Sequence, residues 1–100
     1  MVIIGFASYP PESSHEFAKR FMEQSTPLPS HITMKGPFVS SEVGEGIKSI
    51  VIFEFDQSKM AEAIQVVSAR YAKYFGVPGF TYSQHTWLEA KEALQLIGLA

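Results

Sequence analysis

The run Ile47 to Asp56, "IKSIVIFEFD", constrains this chain more than any other ten residues. It is dense in β-branched and aromatic residues and is expected to be a strand over Ile47–Phe55. Side chains alternate across a strand with a period of two. Val51, Phe53 and Phe55 therefore face one way, and Lys48, Ile50, Ile52 and Glu54 the other. Both sets are oily, so a sheet built on this strand needs covering twice. The run Val2 to Ser8, "VIIGFAS", has the same property: Val2, Ile4 and Phe6 oppose Ile3, Gly5 and Ala7.

Between these two runs the chain reads "PPESSHEFAKRFMEQSTP". Ser13 and Glu16 have capping-box spacing. Phe17, Ala18, Phe21 and Met22 fall on one helical face. Thr26-Pro27 stops the pattern, which places a first helix at about Ser14 to Gln24. His31 to Lys35 and Phe38 to Ser41 are expected to be extended, broken by Gly36-Pro37. Proline cannot donate to a ladder, so this second strand belongs at an edge or a bulge. Gly44-Glu45-Gly46 turns the chain back into Ile47–Phe55 as a hairpin.

Asp56 is a natural N-cap for a second helix. Met60, Ile64, Val67, Tyr71 and Tyr74 recur at helical spacing along it, and Gly76 with Pro78 ends it. Phe80 to Leu88, "FTYSQHTWL", alternates as a last strand, and Glu89 to Ile97 is rich in helix formers. The order is β-α-β-β-α-β plus a terminal helix, the split βαβ or ferredoxin-like pattern of the α+β class. Strands one and three should be central, with the proline-bearing strand two at an edge.

One hundred residues suit a single domain over 1–100. An apolar fraction of 46% against 18% charged residues excludes disorder. There is no cysteine, hence no disulfide framework or thiol nucleophile. A net charge of -2 leaves no basic footprint for nucleic acid. Nothing approaches the roughly 20 apolar residues of a spanning helix, and Val2–Ala7 is too short for a signal sequence. A cytoplasmic location with no membrane partner is the expectation.

Two helices cover one sheet face, and an apolar face left bare marks an interface. The simplest cover is a second copy of the chain, sheet on sheet, as a symmetric homodimer. In element order and two-faced strands the chain resembles the dimeric α+β-barrel superfamily, in which two ferredoxin-like protomers press their sheets together around a cavity. The segments "KGPFVSSEVGEGIKSIVIFEFD" and "YFGVPGF" also resemble small bacterial proteins of this type, and that resemblance attaches no activity. The superfamily includes monooxygenases, lactone isomerases, haem-degrading enzymes and amino-acid-sensing domains, so the fold leaves function open. The Asn-Trp-His set of the haem-degrading members cannot be assembled, because this chain contains no Asn. Asp56 is its single Asp and sits at a helix cap, which argues against members that use a His-Asp pair.

Glu54 is a carboxylate in an apolar wall, where desolvation would favour its protonated form and suit acid–base work. Against that stands a strand-end Glu reaching water, or pairing with Lys48 or Lys35. His85 and Trp87 share a face with Thr81 and Ser83, a lining that fits a pocket with a few placed polar groups. The same row could instead face solvent. His31 and Lys35 lie on one side of the second strand and could meet an anion, or could be ordinary edge residues. The three histidines show no metal-binding spacing, and no cofactor motif is present. Tyr71 and Tyr74 are expected to be core.

Three readings follow. The first is a dimer binding a small apolar or weakly anionic molecule between its sheets, through Lys48, Glu54, His85, Trp87, His31 and Lys35. The second is a cofactor-independent isomerase or monooxygenase-type enzyme moving a proton with Glu54 or His85. The third is a purely structural dimer.

Overall fold

A computed structural model describes residues 1–24 and 26–99. Strands β1 (Val2–Tyr9), β2 (Thr33–Glu42), β3 (Gly46–Glu54) and β4 (Thr81–Trp87) alternate with helices α1 (Ser14–Glu23) and α2 (Met60–Ala72), and α3 (Ala90–Leu96) closes the chain. The four strands form one antiparallel sheet in the order β2-β3-β1-β4. This is the ferredoxin-like arrangement, with β1 and β3 central and the proline strand at an edge. β2 is one strand rather than two. Its register shifts between Lys35 and Phe38, at a bulge where Gly36 takes a positive φ of 98° and the Gly36-Pro37 bond is cis.

The core lies between the sheet and α2. Ala63, Val67 and Tyr71, spaced i, i+4 and i+8, are buried over Ile3 and Phe53, and Tyr74 and Val77 extend the cluster past the helix end. Met60 and Ile64 do not belong to that stripe. They lie on its flank and are exposed, because the buried face runs through Ala63 instead. Asp56 accepts from the Ser58 N–H and opens the single 3₁₀ turn before α2.

α1 is held differently. No residue of it is fully buried, and Met22 is 82% exposed. The expected four-residue apolar face reduces to Phe17, whose ring stacks between Tyr9 and Tyr74 with centroids 4.2 and 4.3 Å away. The Ser13 hydroxyl makes no cap hydrogen bond. It donates 2.6 Å to the Pro78 carbonyl, so the expected capping box gives way to a tertiary tie. Arg20 bonds Glu16 at 2.9 Å and reaches the carbonyls of Lys73 (3.3 Å) and Phe75. Apart from Tyr9 at the end of β1, the contacts that leave α1 go to the turn after α2, and none of them goes to β2 or β3. A capping box does form in α3, between Glu89 and Glu92.

The domain measures 49 × 31 × 17 Å. Seventeen ångströms accommodates one sheet and one layer of helices, since packed layers stand about 10 Å apart. Among the described residues, nothing covers the far face of the sheet.

Candidate functional site

The bare face can be read from the register. Ile4 lies beside Ile52 on one side and His85 on the other. Phe6 lies beside Ile50, which lies beside Phe38 on β2. Phe6, Phe38 and Trp87 are 43%, 55% and 51% exposed, far above the level of a packed aromatic ring. The centre of the face is therefore an apolar strip running across three strands.

Its polar residues do not converge. Glu54 is paired with Lys35 across the β2–β3 ladder at 2.7 Å, and this hydrogen bond raises the Lys35 pKa above its ordinary value. His85 packs edge-on against Trp87, centroids 6.4 Å apart. Glu54 is level with Val2 and His85 with Ile4, on opposite sides of β1. Two strand spacings and two residues put their Cα atoms roughly 12 Å apart. A proton relay between them would need a substrate spanning that gap. Lys48 is farther still, about 20 Å from Glu54 along β3. It closes the hairpin instead, 2.6 Å from Glu42 and 2.9 Å from Glu45, which raises its own pKa and lowers that of Glu42.

His31 departs from the expected grouping with Lys35. It sits in the turn before β2, where strand alternation does not apply, and its Nε2 lies 3.6 Å from Glu62 of α2. That is too long for a hydrogen bond, and the buried Nε2 has no partner among the described residues. No group of three metal-ligating side chains occurs among the described residues.

Sequence reasoning missed the concave feature on the other side of the sheet. Because α1 is tied to the turn after α2, it stands off β2 and β3 and leaves a cleft of about 230 Å³. Phe17 and Phe21 of α1 form one wall, and Met34, Val39, Val51 and Phe53 of the sheet form the other. Among the polar groups that line it, Gln24 and Arg70 lie beside the Tyr74 hydroxyl. Tyr71 also lines the cleft, and its hydroxyl is buried without a hydrogen-bond partner. The one sequence signal was the lone Gly5 inside a strand, which marks a close approach. The Tyr71 hydroxyl fills the place a side chain would take there.

Burial pushes the hydroxyls of both Tyr71 and Tyr74 up to about 12. For Tyr74 the nearby Arg70 charge and Gln24 amide act against that rise. The unfolded chain loses these protons near pH 10, the folded chain two units later. The folded state thus holds more protons between these limits, and stability is expected to fall as pH rises from 10 to 12. Absorbance titration of tyrosinate checks this: two of the four tyrosines should ionise only as the protein unfolds. Four tyrosines titrating together near pH 10 in folded protein would refute the burial argument.

Among the described residues, no helix is long and apolar enough to cross a membrane. No protein-family model, curated protein or solved structure matches the chain.

Proposed function

We propose that the protein is a cytoplasmic homodimer that binds a small, mainly apolar molecule. Its two bare sheet faces cover each other, and each protomer holds its ligand in the cleft beside α1. The observation that carries the binding half is the cleft: a preformed, mainly apolar concavity lined by a few polar groups, the usual form of a small-molecule site. The bare face supports the dimer half, because an apolar strip of this breadth is rare on a monomer. The resemblance to dimeric α+β barrels in element order points the same way. The ligand is assigned to the cleft rather than the gap between sheets, because the polar residues of the bare face are dispersed. The enzymatic alternative gains no support, since Glu54 is engaged by Lys35 and stands apart from His85.

Native mass spectrometry of the purified protein tests both halves. The expected species has twice the chain mass of 11.1 kDa, with extra mass that leaves on denaturation. A species of one chain mass at working concentration would sink the dimer. A dimer that neither carries nor takes up any apolar small molecule would sink the binding reading.

A further inference from the structure

We propose that the cleft selects ligands carrying a carboxylate at one end of an apolar body, with Arg70 receiving the carboxylate. The inference rests on the cleft being the ligand site and adds the chemistry of the ligand. Arg70 is the one charged side chain among the residues lining the cleft. Among the described residues it enters no ion pair, and its one hydrogen bond is a long 3.4 Å contact to the Thr26 carbonyl.

The chain's other arginine shows what a satisfied guanidinium looks like here. Arg20 has a carboxylate at 2.9 Å and two backbone carbonyls. Arg70 keeps most of its five donors unused at the rim of an apolar cleft. A guanidinium fork matches a carboxylate with two parallel hydrogen bonds, which an ammonium or a neutral amide cannot do. Gln24 and the Tyr74 hydroxyl lie beside Arg70 as further donors. The remaining wall is mainly aromatic and aliphatic and accepts the ligand's body.

The test compares octanoate with octan-1-ol by isothermal titration calorimetry at pH 7.5. The two share a chain length and differ in the head group. Octanoate is expected to bind about tenfold more tightly, the gain of a charge-assisted over a neutral hydrogen bond at a half-exposed site. Arg70→Met should abolish that preference while leaving octanol affinity in place, and Arg70→Lys should restore part of it. Equal binding of the two by the wild-type protein, or a preference that survives Arg70→Met, would overturn the proposal and leave the cleft as a neutral apolar site. Failure of folded wild-type protein to bind either molecule would overturn the cleft reading itself, and this inference with it. The wild-type comparison decides the matter even if Arg70→Met does not fold.

Discussion

Ile50→Glu is expected to split the proposed dimer into folded monomers. Ile50 lies at the middle of the bare face with Phe6 beside it on β1 and Phe38 on β2. A carboxylate placed there has aromatic rings on both sides across the ladder. In a symmetric pair the change occurs twice. Each copy forfeits about 2 kcal/mol of apolar burial, before counting the desolvation of two charges. The total of at least about 4 kcal/mol is roughly a thousandfold in the dissociation constant. The fold itself should be spared, since Ile50 points away from α2 and the core. Sedimentation equilibrium gives the mass and far-ultraviolet circular dichroism the fold. A variant that stays dimeric with unchanged affinity would show that the partner sits elsewhere.

Gly5→Ala should destabilise the monomer by about 2 kcal/mol, an unusual effect for adding one methyl group to a strand. A Cβ at Gly5 would lie 1.8 Å from the Tyr71 hydroxyl oxygen and 2.6 Å from its ring Cζ. The ring has little freedom to withdraw. It is stacked on Tyr82 with centroids 5.1 Å apart, and Tyr71 is anchored in the buried stripe of α2. Alanine is otherwise favoured over glycine in strands, by about 0.5–1 kcal/mol, so the measured loss is net of that gain. The mechanism has a sharp signature. On a Tyr71→Ala background the same Gly5→Ala change should cost nothing or stabilise, giving a double-mutant coupling of about 2 kcal/mol. Tyr71→Phe alone should be close to neutral, because the hydroxyl it removes has no partner to lose. Additive Gly5 and Tyr71 effects in urea unfolding would mean that the steric account is wrong.

The legible parts of this molecule are those governed by local rules. Strand alternation in Val2–Ser8 and Ile47–Phe55 foretold which residues point to the helices and which do not. Pro37 foretold the edge position of its strand because a missing N–H is a property of one residue. Reading failed wherever a side chain chose a distant partner over a near one. Ser13 has the right spacing for a cap but donates to Pro78, sixty-five positions away. His31 continues the spacing of Lys35 in sequence, yet a turn removes it from the strand and aims it at α2. The candidate polar residues were grouped by face. The register then spread Lys48, Glu54 and His85 over distances that a face assignment cannot express. The cleft was the least legible feature of all. It exists because α1 is tethered along one side, and that depends on Arg20 and Phe17 finding partners near the end of α2.

That one-sided tether separates two tasks that most small domains must solve with the same side chains. The residues that keep the chain folded cluster beneath α2, while Ala18 and Phe21, which set the width of the cleft, are exposed and contribute little to that cluster. Under the proposed function, substitutions at these two positions change which molecules fit without drawing on the small reserve of stability that a domain of this size possesses. If the proposed site holds, a scaffold so divided drifts in specificity while remaining intact, with α1 as its adjustable jaw and the sheet and α2 as its fixed one.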